Sequence, residues 1–265
     1  MIYNYSPGCT LKTKAKELDK YARLCAEKLG ITLCELPQWQ CCGGAFTTAG
    51  DEIATKLSSV RALSAAADNG GVLVTVCSAC HNVLKQTNKA IVDDPVFAQR
   101  VGNYMKPEKP YNGETKVIHY LEMLRDVIGF DNLKKAVTNP LTGRKIAPYY
   151  GCLLLRPASA LAMDDPENPK ILEDFIRALG AEPVISSVRN ECCGGYITME
   201  DKSVAEKRSG KIMDSFSQLK ADSVITACPL CLYNLKKNSG SDLPVTYFTE
   251  LLAEALGVKD GGVEA

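Results

Sequence analysis

The sequence predicts an α/β protein built from two duplicated α/β domains with largely parallel sheets, related by pseudo-two-fold symmetry. Three observations predict it. Short apolar runs with strand character alternate with stretches of helical period. One five-cysteine pattern occurs twice in the same order. A matching segment then closes each half: Val117-Ile118-His119-Tyr120-Leu121-Glu122 in the first, and Val245-Thr246-Tyr247-Phe248-Thr249-Glu250 in the second.

Taken in order, Ile2 to Tyr5 reads as a strand that Pro7-Gly8 turns toward a helix. In that helix Ala15, Leu18, Ala22, Cys25 and Leu29 recur at steps of three and four, which marks one apolar face. Gly30 suits its C-terminal cap, and Ile31 to Leu36 reads as the next strand. A second helix is expected over 51–67, ended by Gly70-Gly71, and the apolar strand Val72 to Val76 follows. The second half repeats the scheme. Tyr149-Tyr150 precedes Gly151-Cys152, and Asn168-Pro169 is expected to cap a helix carrying Leu172, Phe175, Ile176 and Leu179. Gly180 ends that helix, and Ser223 to Ala227 forms a strand. Asn139 to Gly143 marks the boundary, which gives domains 1–140 and 141–265. Strand–helix–strand alternation implies right-handed parallel crossovers, with the motif cysteines at the carboxyl ends of strands, where open α/β sheets build their sites.

The composition is that of an ordinary globular protein, and its 31 basic residues balance 31 acidic ones. No overall field attracts polyanions, so nucleic acid and anionic membrane are poor choices as a main partner. The N-terminal segment lacks a basic n-region and a long apolar h-region, and no stretch approaches the roughly 20 apolar residues a membrane span needs. A cytoplasmic protein without a membrane span is expected.

Twelve cysteines in such a chain call for metal or redox chemistry more than for structural disulfides. The first set is Cys9, Cys41, Cys42, Cys77 and Cys80; the second is Cys152, Cys192, Cys193, Cys228 and Cys231. Thirty-four residues lie between Cys42 and Cys77, and thirty-four between Cys193 and Cys228. From Cys9 to Cys41 there are 31, against 39 from Cys152 to Cys192; the excess falls in the polar stretch Met163 to Pro169 and reads as a loop insertion. Thiolates suit zinc, copper(I) and iron–sulfur clusters. A structural zinc needs four ligands, and Cys77-x-x-Cys80 is a pair of the usual kind. Adjacent cysteines such as Cys41-Cys42 tend to diverge and more readily reach different metals of a polynuclear centre, and a fifth thiol exceeds what one zinc needs. An iron–sulfur cluster in each half is therefore the leading reading. Zinc and thiol–disulfide exchange through the CxxC pairs remain alternatives. Gly43-Gly44 and Gly194-Gly195 permit close backbone approach, so that amide N–H groups can point at cluster sulfurs.

The repeated Cys…Cys-Cys-Gly…Cys-x-x-Cys pattern resembles the CCG, or cysteine-rich, domain. The chain as a whole is similar to the B subunits of heterodisulfide reductases, in segments that include Tyr5-Ser6-Pro7-Gly8-Cys9, Trp39-Gln40-Cys41-Cys42-Gly43 and Tyr149-Tyr150-Gly151-Cys152-Leu153-Leu154-Leu155-Arg156-Pro157. The resemblance implies two noncubane [4Fe-4S] clusters, each held by five cysteines, facing one another across a disulfide that they cleave reductively. It implies electrons delivered by the ferredoxin-like iron–sulfur C subunit of such a complex, fed in turn by its flavin-containing A subunit. The disulfide implied is that of coenzymes M and B, or a related one. The alternatives are an electron-relay CCG subunit of a lactate-utilisation or benzoyl-CoA reductase type, and a zinc-bearing structural subunit.

Beyond the cysteines, His81 and Arg156 are candidate catalytic residues. His81 follows Cys80 and is placed to tune a cluster or protonate a thiolate; against this stands a helix-start histidine with a local hydrogen bond, since its repeat partner is Leu232. Arg156 lies near Cys152 and is placed to pair with an anionic substrate or partner, or to serve only its loop. His119 is expected to be structural. Cys25 and Cys34 have no counterparts in the second half and are expected to be buried thiols. Trp39, the single tryptophan, is a candidate cluster shield.

Overall fold

The computed structural model describes residues 1–38, 40–44, 52–106 and 110–258. The first half runs β1 (Ile2–Ser6), α1 (Cys9–Thr13), α2 (Lys16–Lys28), β2 (Thr32–Glu35), α3 (Glu52–Asp68), β3 (Val72–Thr75), α4 (Ser78–Asp93), α5 (Pro95–Met105) and β4 (Lys116–His119). It closes with α6 (Tyr120–Glu122), which continues as a π-helical stretch Met123–Ile128, and α7 (Phe130–Ala136). The second half runs β5 (Lys145–Tyr149), α8 (Ala158–Leu161), α9 (Ile171–Ala178), β6 (Glu182–Pro183), a 3-10 turn Ile197–Met199 and α10 (Lys202–Gln218). It ends with β7 (Ser223–Thr226), α11 (Pro229–Lys237), β8 (Val245–Tyr247) and α12 (Phe248–Ala255).

The predicted fold class is what the structure shows. Two four-stranded sheets have the orders β2-β1-β3-β4 and β6-β5-β7-β8, and every pairing is parallel. The central strands β3 and β7 are apolar and buried on both faces, as strands covered by helices on each side must be. Helix α2 buries Leu18, Ala22, Cys25 and Ala26 along the predicted stripe. Gly30 and Gly180, with φ of +75° and +87°, follow α2 and α9 in the left-handed conformation that ends a helix.

The start of α9 differs from expectation. Asn168-Pro169 does not cap it. The carboxylate of Asp164 accepts from the N–H groups of Lys170 and Ile171, both at 2.7 Å, and Tyr150 Oη accepts from Leu172 at 2.9 Å. The inserted loop itself supplies the acceptor, so the helix begins later. Cys25 is fully buried, as expected, but Cys34 is exposed. Strand β2 lies at the sheet edge, and Thr32 and Cys34 share its outward face. Trp39 lies outside the described residues.

The halves share a core. One apolar cluster joins Tyr5, Val74 and Tyr120 of the first half to Ile146, Phe175 and Phe248 of the second. Each half sends its last helix to the other: α12 packs on α2, and α7 on α9. Thr249 Oγ1 donates to the Leu18 carbonyl at 3.1 Å across this junction. Tyr120 and Phe248 occupy equivalent places in the repeat and meet with ring centroids 5.8 Å apart, as residues beside a pseudo-two-fold axis do.

Candidate metal centre

Each set of five cysteines is carried by three loops at the carboxyl end of its sheet. Cys9 opens α1, directly after β1. Cys77 is the residue before α4, and Cys80 lies in the first turn of that helix. Cys41 and Cys42 sit in the loop after β2, where two serines of α3 hold their carbonyls: Ser58 Oγ donates to Cys41 at 2.7 Å and Ser59 Oγ to Cys42 at 3.2 Å. All five line one cleft together with Pro7, Gly8 and Gly44. Pro229 and Leu230 of the second half close its far side. Among the described residues, no three Cys, His, Asp or Glu side chains converge as the ligands of a single ion do.

The second set repeats this design. Cys152 follows β5, Cys192 and Cys193 follow β6, Cys228 precedes α11, and Cys231 lies in its first turn. Within the sets, Cys41 Sγ lies 3.5 Å from Cys9 Sγ, and Cys193 Sγ lies 3.5 Å from Cys231 Sγ. Asn234 of α11 donates to the Cys193 carbonyl at 3.2 Å and points at its Sγ at 3.6 Å.

Glycine keeps the space beside each CxxC pair open. A Cβ at position 8 would lie 2.7 Å from Cys80 Sγ, and one at position 151 would lie 3.0 Å from Cys231 Sγ. Both residues have positive φ, +84° and +64°. The side chain missing at these positions leaves room for a bound group against the thiols.

The first two thiols of each set behave alike in both repeats. The hydrogen bonds that Cys41 shares with Cys42 and Cys9 hold its thiol low, and the bond shared with Cys152 lowers Cys192 to about 5. The corresponding thiols Cys9 and Cys152 are pushed up, first by that same bond and then by burial. The Gly194 N–H points at Cys192 Sγ at 3.4 Å. The Cys231 thiol lowers Cys228, and the N–H groups of Cys231, Leu230 and Ala79 add to the effect. The Ala79 amide comes from the other half. Anionic sulfur held by backbone N–H groups and open space is an environment that fits an iron–sulfur cluster.

A family profile described as a cysteine-rich domain, CCG, matches residues 3–85 and again residues 146–236. The chain belongs to the CCG family. Both CCG domains contain all five cysteines of their set, while the fourth strand of each sheet lies beyond the matched segment. Among similar proteins is the 8-methylmenaquinol:fumarate reductase membrane anchor subunit of Wolinella succinogenes, 31% identical, covering 97% of this chain and 92% of that one. The B subunit of the ferredoxin:CoB-CoM heterodisulfide reductase of Methanosarcina mazei is 27% identical and covers 94% of this chain and 87% of its own. A heterodisulfide reductase B-subunit-like protein of Archaeoglobus profundus is 26% identical, over 96% and 90%. The fold also matches a hypothetical protein from Helicobacter pylori with a TM-score of 0.72 at 12% identity; the match covers 97% of this chain and about half (49%) of that structure. Among the described residues of this CCG protein, no helix is long and apolar enough to cross a membrane.

The structure places His81 and Arg156 away from the cleft lining. The His81 ring turns into the core, fully buried, 5.4 Å from the His119 ring and with Nε2 3.5 Å from Glu122 Oε2. The expected local hydrogen bond is not made: neither ring nitrogen forms a hydrogen bond with a described residue, and the Glu122 contact is a longer one. Arg156 joins the inserted loop to the segment before Cys192, donating to the carbonyls of Asn190 and Pro166 and to Glu167 at 3.0, 3.1 and 2.8 Å. His119 caps the turn that follows β4, accepting from Leu121 N–H at Nδ1 (3.2 Å). Ser78, Asn234 and Tyr196 belong to no motif or hydrophobic period in the sequence. The available signal was a departure from the repeat: the equivalents of Ser78 and Tyr196 are Pro229 and Ala45.

Proposed function

We propose that this chain is the disulfide-cleaving subunit of a heterodisulfide reductase-like complex. In this reading Cys9, Cys41, Cys42, Cys77 and Cys80 hold one noncubane [4Fe-4S] cluster, and Cys152, Cys192, Cys193, Cys228 and Cys231 hold the other. The clusters, when bound, supply one-electron redox chemistry at sulfur. The chain's own residues bind and orient. The observation that carries the reading is the contact between the two CxxC loops: Pro229 and Leu230 line the cleft of the first set, and the Ala79 amide points at Cys228 of the second. A disulfide has two sulfurs and needs two electrons, and two facing sites answer that need. A ferredoxin-like iron–sulfur C subunit and a flavin-containing A subunit are the partners of this reading, in a cytoplasmic complex. The heterodisulfide reductase B subunits among the relatives support it.

The test is iron and acid-labile sulfide analysis of anaerobically purified protein, followed by reduction of CoM-S-S-CoB with a reduced viologen dye. Iron and sulfide at both sites with dye-driven cleavage is the expected result. About one zinc per half, with no iron, would sink the proposal.

A second reading has its own support. The fumarate reductase membrane anchor subunit is 31% identical over nearly the whole chain. In that reading the same two centres relay electrons within a different oxidoreductase complex. Full cluster content without disulfide cleavage favours the relay.

A further inference from the structure

The gap between the two cysteine sets is not symmetric. Gly43-Gly44 is followed by Ala45 in the first repeat, whereas Gly194-Gly195 is followed by Tyr196 in the second. Tyr196 leads into the turn Ile197–Met199, and its carbonyl accepts from Met199 N–H at 3.3 Å. Thr198 Oγ1 pins this turn to α11 by donating to Asn234 Oδ1 at 3.0 Å. The anchored ring reaches from the second half to the first. A Cβ placed on Gly44 would lie 3.6 Å from Tyr196 Oη and 3.4 Å from Cys42 Sγ. The phenol and the Cys42 thiol thus border the same small space, which the absent side chain of Gly44 leaves open.

Two further observations describe that hydroxyl. The fully buried tyrosines Tyr5, Tyr120, Tyr149, Tyr150 and Tyr247 all donate to an oxygen acceptor. The Tyr196 hydroxyl, half-buried, makes no hydrogen bond to any described residue. Like any phenol it is protonated at neutral pH, and it links the loop of Cys192-Cys193 to the space beside Cys42. A phenol with no acceptor among the described residues, held where the loops of the two thiol sets meet, is a hydrogen-bond donor for whatever sulfur enters between them.

We propose that Tyr196 Oη donates a hydrogen bond to one sulfur of the disulfide bound between the two cysteine sets, orienting it and stabilising the thiolate formed there. The inference rests on the disulfide-cleaving reading above. In the step, the S–S bond breaks as it takes up two electrons, which the clusters held by the two cysteine sets would supply when bound and reduced by the iron–sulfur partner, and each sulfur becomes a thiolate. Solvent then supplies two protons to complete two thiols. The phenol keeps its own proton throughout. Because the first repeat carries alanine, which has no hydroxyl, at the equivalent sequence position, the tyrosine of the second repeat has no counterpart in sequence and the two sulfurs are not treated alike. Tyr196 therefore favours an unsymmetrical disulfide bound in one orientation.

The experiment uses the full chain carrying its clusters, with the thiol 2-mercaptoethanesulfonate and the disulfide CoM-S-S-CoB as probes. Binding of the thiol is followed through the EPR spectrum of the clusters, and cleavage through oxidation of a reduced viologen dye. Tyr196→Phe is expected to keep wild-type iron and sulfide content. It should weaken thiol binding and lower kcat by roughly tenfold to a hundredfold, the range for a hydrogen bond to a charged group. Tyr196→Gln, which restores a donor, should recover part of both. A phenylalanine variant equal to wild type overturns the inference and leaves the disulfide reading intact. Equal loss in the phenylalanine and glutamine variants also overturns it, since that marks a packing role for the ring. Wild-type protein with full clusters that neither binds the thiol nor cleaves the disulfide overturns the reading beneath it.

Discussion

Ser78 in the first CxxC loop gives both its hydroxyl and its backbone N–H to the carbonyl of Ala227, the residue before Cys228, at 2.7 and 3.1 Å. The same carbonyl, and that of Val76 at the matching place in the first repeat, accept from Tyr247 Oη at 2.9 and 2.8 Å. The strand ends that deliver the two CxxC pairs are thereby fastened together in the core. The fastening is one-sided, because Pro229 stands where the second repeat would need the N–H of Ser78.

Ser78→Ala removes the shorter bond and leaves the backbone one. Stability is expected to fall by about 1 kcal/mol, the usual net worth of a hydrogen bond, with a further cost if the buried carbonyl is left short of donors. Chemical denaturation of the wild type and the variant checks the size. The EPR spectrum of the loaded protein reports whether the two centres shift together when this link is cut.

Gly8→Ala and Gly151→Ala test the open space beside each CxxC pair. A methyl group at 8 would press on Cys80 Sγ, and one at 151 on Cys231 Sγ, each from a backbone with positive φ. Each variant is expected to lose iron from its own half only. Iron and sulfide analysis near half the wild-type content, with one set of EPR signals kept, is the predicted outcome; full content in both variants would contradict the arrangement.

Arg189 and Glu173 form a buried pair at 3.0 Å, and the same carboxylate accepts from Tyr150 Oη. Arg189 also reaches Asn168 in the inserted loop and the Ser186 carbonyl. Arg189→Met leaves Glu173 as an unpaired carboxylate that is 2% exposed. The expected loss is about 3–5 kcal/mol, because breaking one side of a buried pair is far costlier than removing both. Arg189→Met combined with Glu173→Gln should be less damaging than the single change, and urea unfolding of both variants decides it.

His119 is fully buried, and burial lowers its pKa from 6.5 to about 3. Unfolded chain therefore takes up a proton below pH 6.5 that the folded chain refuses. Stability is present above pH 6.5 and is lost as the pH falls toward 3, by at most about 1.4 kcal/mol per pH unit for this group. His119→Asn keeps a side-chain acceptor for the Leu121 N–H and removes the titration. Its unfolding midpoint is expected to change less between pH 7 and 5.5 than that of wild type.

Much of the fold is legible in the chain's local patterns. The strands at Val72 and Ser223 announce themselves as short apolar or β-branched runs closed by a cysteine turn, because a strand covered on both faces is built mostly of such residues. The site residues Ser78, Asn234 and Tyr196 are ordinary polar side chains whose spacing carries no period. Arg156, for which the sequence leaves a substrate or partner contact and a loop role open, donates in the structure to the carbonyls of Asn190 and Pro166.

The sequence by itself determined the duplication, the two sets of five thiols and their delivery at strand ends, since these follow from spacing and local periodicity. Tertiary structure alone decided how the sets stand to each other. The exchange of α12 and α7 between halves, the Ser78–Ala227 link and the reach of Tyr196 toward Cys42 join residues far apart in the chain. Such contacts are settled by how two cores merge into one, and no local pattern encodes them.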